Sequence, residues 1–134
     1  MRTELVRTFV AVYLALAGLM LGSFINLTAD RLPRGESIIK PRSYCRGCGR
    51  RLNVIDLVPV LGYLIRAGRC ATCRTSIGLS APIVEAISGA CVAVPLLLYG
   101  LWPGAMVGAV LVSVYGAAVT GLSMRRFGRQ GAKT

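Results

Sequence analysis

Two stretches without a single charged residue decide what this chain can fold into. One runs for 22 residues from Thr8 to Ala29, the other for 39 from Ala86 to Met124. As a helix the first is about 33 Å long, enough to cross the hydrocarbon core of a bilayer. The second would reach about 58 Å, too long for one crossing. Its middle reads Gly100-Leu101-Trp102-Pro103-Gly104. Gly and Pro break a helix there, and Trp suits a membrane interface. The pattern predicts three spans: one ending at residue 29, then 82–100 and 105–124 as a tight hairpin.

Between the first and second spans lies a polar segment, 30–81, with ten of the sixteen basic residues and three acids. A tail, 125–134, adds Arg125, Arg126, Arg129 and Lys133. Only Arg2 and Arg7 precede the first span. The excess of Lys and Arg therefore places the N-terminus outside, with segment and tail in the cytoplasm. A cleavable signal peptide ending near Ala17 is the rival; it would discard half the first span and reverse the charge rule. The chain is 54 % hydrophobic, yet its formal net charge is +11. Disordered chains are poor in apolar residues, and no His and only five acids make an ordinary soluble enzyme a poor fit. The expected architecture is an all-α membrane protein. It comprises a first span within 1–29, a basic segment 30–81, a helical hairpin 82–124 and a basic tail 125–134.

Four cysteines form Cys45-x-x-Cys48 and, 21 residues on, Cys70-x-x-Cys73. This is the layout of two zinc knuckles, and nearby Arg residues favour the thiolate form. Four sulfur ligands leave no open coordination position, so the zinc is read as structural. Cytoplasmic placement argues against disulfides. Cys91 falls inside the second span and reads as a packing residue. Between the knuckles, Leu57 to Ile65 is apolar but too short to span. It reads either as a short core helix or as an interfacial segment.

Gly18, Gly22, Asn26 and Asp30 recur every four residues and form one small, polar stripe on the first helix. Gly104 and Gly108 repeat the spacing in the third span. Such stripes pack helices closely; here the stripe, with Glu85, is also a candidate face for a substrate or partner helix. Asp30, Asp56 and Glu85 read individually as capping or ion-pairing residues.

Several motifs together resemble the first part of the type IV prepilin peptidases. They are Gly22-Ser23-Phe24-Ile25-Asn26, Arg31-Leu32-Pro33 and Ser37-Ile38-Ile39-Lys40-Pro41-Arg42-Ser43 running into Cys45-x-x-Cys48-Gly49. Val58-Pro59-Val60-Leu61, Gly68-Arg69-Cys70 and Pro82-Ile83-Val84-Glu85 complete the series. The resemblance covers roughly residues 18–89 and implies a bacterial or archaeal-type cytoplasmic membrane location. It implies a role in type IV pilus or type II secretion prepilin processing, with S-adenosylmethionine as methyl donor for N-methylation. The family cleaves prepilin leaders with two aspartates on later helices. The stretch from Ala118 to Arg126 contains no Asp, and none follows Asp56. Carboxylate-pair catalysis needs both groups. No catalytic residue is assigned, and a separate aspartate-bearing half is the expected partner. The alternative is a non-enzymatic zinc module whose Arg42, Arg46, Arg50, Arg51, Arg66, Arg69 and Arg74 bind anionic lipid or nucleic acid. These charges are read as setting topology in preference to binding nucleic acid. A decayed copy that folds without acting is a third reading, against which the coherent cysteine spacing and span lengths speak.

Overall fold

The computed structural model describes residues 2–131. Helix α1 runs from Arg2 to Arg31, with Glu4 in its first turn and Arg31 in its last, each of the sign that suits the local helix dipole. Pro33 stops it, because the residue before a proline is pushed away from helical geometry. The chain tightens into a 3-10 turn over Leu32–Arg34, closed by the Gly35 amide on the Leu32 carbonyl. Two short helices follow, α2 (Val54–Leu57) and α3 (Leu61–Ile65). The long helices α4 (Ser80–Tyr99) and α5 (Leu101–Gly131) complete the chain. Among the described residues there is no strand, only isolated bridges.

Three helices are long and apolar enough to cross a membrane: Arg2–Arg34, Ser80–Tyr99 and Leu101–Gly128. They pack as a bundle in which α4 touches both neighbours. Its core is thin. Val92, Leu96 and Val112 are buried, with Leu14, Ile25, Leu101 and Ala105 against them. Large side chains such as Phe9, Leu97 and Trp102 point outward, at 72 %, 78 % and 82 % exposure. That distribution suits helices solvated by acyl chains, where only backbone self-sufficiency is compulsory.

The structure differs from the sequence expectation at the hairpin and at the tail. The loop expected over 101–104 shrinks to Gly100 alone. Pro103 lies in the first turn of α5, where its missing N–H has no partner to lose. The helix also continues past residue 124 to Gly131 rather than yielding to a separate tail. Two contacts with the end of α1 and the turn after it lie at the root of this extension. Ser123 Oγ donates to the Ala29 carbonyl at 2.5 Å, and the Arg34 guanidinium lies 5.0 Å from the centre of the Phe127 ring. The C-terminal ends of α1 and α5 are thus side by side. Lys133 lies outside the described residues.

Candidate metal centre

The two Cys-x-x-Cys loops have the same backbone design. In the first, the Cys45 amide donates to Arg50 O at 2.8 Å, Gly49 N to Cys45 O at 2.8 Å and Leu52 N to Ser43 O at 2.9 Å. In the second, Cys70 N donates to Thr75 O at 3.0 Å, Arg74 N to Cys70 O at 3.1 Å and Ile77 N to Gly68 O at 2.7 Å. Bridges Tyr44–Arg51 and Arg69–Ser76 close the loops at equivalent places. The residue after each second cysteine takes a left-handed conformation, with φ 71° at Gly49 and 58° at Arg74. Glycine adopts it freely, whereas Arg74 does so against its Cβ.

The loops face each other and bring their sulfurs together. Cys45 Sγ lies 3.7 Å from Cys73 Sγ, and Cys48 Sγ lies 3.9 Å from Cys70 Sγ. All four sulfurs fall within 4.8 Å of one another. A tetrahedron of thiolates about 2.3 Å from a central ion has edges of about 3.8 Å. The donor set, the count and the spacing therefore fit a tetrahedral metal ion, and the four cysteines can hold one. Cys45, Cys48, Cys70 and Cys73 are all free thiols. The Cys73 and Thr72 amides favour the Cys70 thiolate and draw its pKa down to about 6. Cys70 is also the most enclosed of the four, at 3 % exposure.

Arginines fasten this centre to the bundle. Arg46, between Cys45 and Cys48, donates to Asp30 at 2.6 Å and to Glu36 at 3.2 Å. Asp30, in the last turn of α1, also pairs with Arg34. Asp56 joins the first loop to the stretch beyond α3. Its carboxylate accepts from Arg50 and Arg66, each at 2.6 Å, and from the Asn53 amide at 3.0 Å. The last contact belongs to a capping box at the start of α2. Burial opposes the Asp56 charge, but the Asn53 amide, Arg66 and Arg50 outweigh it and hold the pKa at about 2. With the folded value below the ordinary 3.8, this node stabilises the protein above about pH 4 and loses that effect as pH falls toward 2. Asp56→Asn is expected to cost on the order of 2 kcal/mol at neutral pH, from the lost cap and charged hydrogen bonds. The gap between denaturant midpoints of the two proteins in micelles should stay constant down to about pH 4 and then close. Comparing the two proteins cancels the thiol titrations that both share.

The remaining candidate residues divide. Gly18 and Gly22 are buried against α4. A Cβ on Gly22 would stand 2.6 Å from Glu85 Cα, so α1 and α4 approach backbone to backbone there. Glu85 is buried, and its Oε2 accepts from the Val60 amide at 2.6 Å. Asn26 and Asp30 lie on the wall of a cleft of 510 Å³ between α1, the cysteine loops and the start of α4. The stripe therefore splits into a packing half and a cleft-lining half. Sequence reasoning gave no role to Arg46, Arg50 or Arg66 in docking the centre. Asn53-x-x-Asp56 was a capping signal in plain view, and the position of Arg46 inside the knuckle was another.

The Bacterial Peptidase A24 N-terminal domain family matches residues 16–99, which include both cysteine loops, the cleft and α4. The chain belongs to this family. Its similarity extends to curated proteins named "Prepilin leader peptidase/N-methyltransferase". The Myxococcus xanthus protein is 39 % identical over 79 residues, covering 59 % of this chain and 24 % of the relative. The Burkholderia pseudomallei (strain 1026b) protein is 45 % identical over 71 residues, covering 53 % and 23 %. The Bacillus subtilis protein is 36 % identical over 84 residues, covering 63 % and 34 %. The chain thus spans about a quarter to a third of the length of these relatives. No solved structure matches it significantly. The first half of α1, before residue 16, and helix α5 lie outside the matched residues.

Proposed function

We propose that this chain is the membrane-embedded, zinc-stabilised N-terminal-domain component of a prepilin-processing peptidase of the cytoplasmic membrane. The aspartates that cut the leader come from a separate catalytic half. Four thiolates at tetrahedral spacing favour zinc over harder cations, and they leave no position for a reacting water. The basic segment and the end of α5 face the cytoplasm, and the N-terminus lies outside. The proximity of Ser123 to Ala29 supports one face for both basic clusters.

The observation that carries this reading is the engagement of the acids. Asp30 and Glu36 are ion-paired to arginines, Asp56 is held by two more, and Glu85 is committed to a backbone amide. A carboxylate pair that shares a proton needs two free carboxyls on a common substrate atom. None of these four offers that arrangement. Leader cleavage of a prepilin in proteoliposomes is the test. The chain alone is expected to give no cleavage, and co-reconstitution with an aspartate-bearing catalytic half to restore it. Cleavage by the chain alone would overturn the reading.

A further inference from the structure

The stretch from Val54 to Ile65 sits between the two cysteine loops, yet its surface is not that of a soluble linker. Val54, Ile55, Leu57, Leu61, Leu64 and Ile65 are all at least 43 % exposed, and Val54 reaches 81 %. Asp56 is the one charged residue within it, and its carboxylate is turned inward onto Arg50 and Arg66. The arginines at its borders, Arg51 and Arg69, are exposed.

The depth of this stretch decides what covers it. The Val60 amide is hydrogen-bonded to Glu85, and the Glu85 backbone touches Gly22. Gly22 lies about 12 Å along α1 from Asp30, where the charge-free run of that helix ends, and Glu85 is the last charge before the charge-free run of α4, which begins at Ala86. The α2–α3 turn is therefore pinned beside the charge-free part of α1, at the level where α4 enters its own. Backbone at that depth must satisfy its own polar groups. It does so here. Val60 N is bonded to Glu85, Leu61 N to Pro59 O, Gly62 N to Val58 O and Leu64 N to Val60 O, and Pro59 has no N–H to satisfy.

We propose that α2–α3 is a lipid-seated wedge. Its apolar face enters the leaflet on the side of the cysteine centre, and Arg51 and Arg69 stay among anionic headgroups. The segment between the knuckles thereby anchors the metal centre to the bilayer surface at a second place, besides the end of α1. The occupant is lipid because the basic borders match anionic headgroups and because the pinned depth matches acyl chains. This proposal needs the helices to span the membrane, but it does not depend on prepilin processing.

Tryptophan fluorescence in phosphatidylcholine–phosphatidylglycerol vesicles, with and without bromine on the acyl chains, tests it on the full metal-loaded chain. Leu64→Trp in a Trp102→Phe background is expected to lose about half its emission to brominated lipid, as an acyl-level residue should. Arg42→Trp in the same background should be insensitive. The unaltered chain, whose single tryptophan is Trp102, reports whether the hairpin has inserted. Val54→Trp supplies the same reading if Leu64→Trp fails to retain its metal. Emission at positions 64 and 54 that ignores bromine while Trp102 responds would overturn the wedge. A red-shifted spectrum would then assign the face to water, and a blue-shifted one to a second copy of the chain. A Trp102 that ignores bromine would overturn the spanning helices and the wedge together.

Discussion

Cys70→Ser is expected to abolish stoichiometric metal binding and to unfold the segment from Ser43 to Ile77, while leaving the three long helices in place. The reason lies in how little else holds that segment. Its two loops contribute bridges of single residue pairs, not strands. Most of its large apolar side chains face away from the rest of the chain, so packing within the protein supplies little. In small zinc modules the ion contributes about 10–16 kcal/mol of apparent binding free energy, comparable with the whole stability of a domain. Cys70 is the ligand with most to lose, being the most enclosed and the one favoured as a thiolate by the Thr72 and Cys73 amides. A serine there removes a soft ligand and leaves the facing Cys48 sulfur, 3.9 Å away, without its partner. Metal analysis of the purified protein, with hydrogen exchange over residues 43–77, measures both effects. Cys91→Ser is the matched control. It lies in α4, outside the cluster, and should leave metal content at one ion per chain. A Cys70→Ser protein that keeps its slow-exchanging amides in the loops would show that the protein backbone, not the metal, orders them.

The long-range organisation of this chain was legible because charge is so costly in lipid. The gaps from Thr8 to Ala29 and from Ala86 to Met124 mark three spans with no knowledge of packing. The cysteine centre was legible for a similar reason, since two Cys-x-x-Cys pairs at this spacing are a metal-site pattern with few other uses. Local stops were harder. Pro103 reads as a breaker in sequence, but a proline in a first turn disrupts nothing, so the hairpin needs Gly100 alone. Past Met124, α5 places Phe127 under the Arg34 guanidinium, a tertiary contact that no local pattern announces. The stripe Gly18-Gly22-Asn26-Asp30 was visible as a face. What it meets was not, because helical spacing identifies a surface and not its partner. Only the fold shows that Gly18 and Gly22 pack on α4 while Asn26 and Asp30 open on the cleft. The ion pairs of Arg46, Arg50 and Arg66 were hidden for the same reason. They link residues 6 to 16 positions apart through loops of irregular path.

Gly22→Leu is expected to separate α1 from α4 and to destabilise the bundle more than any other single glycine change in α1. Overpacking a tight site ordinarily costs about 1–3 kcal/mol, because neighbours rotate out of the way. At Gly22 the nearest atom is Glu85 Cα at 2.6 Å, followed by Ser88 Cβ at 2.8 Å, and backbone cannot rotate aside. The helices must part, and the cost should reach the upper end of that range or exceed it. The effect should also travel. Pushing α4 outward withdraws Glu85 from the Val60 amide, so exchange at Val60 should quicken although residue 60 is far from residue 22 in sequence. Gly18→Leu provides the intermediate case, since a Cβ there first meets Val92 Cγ2 at 2.9 Å, the end of a side chain. Gly121 provides the opposite case. Nothing lies within 4 Å of its absent Cβ, and alanine in a helix interior is favoured over glycine by about 1 kcal/mol. Gly121→Ala should therefore stabilise α5 slightly, where Gly22→Ala destabilises the bundle. Thermal denaturation of the four variants in the same micelles orders them. If Gly22→Leu melts with the unaltered protein, the close approach of α1 and α4 at Glu85 is not what holds this bundle together.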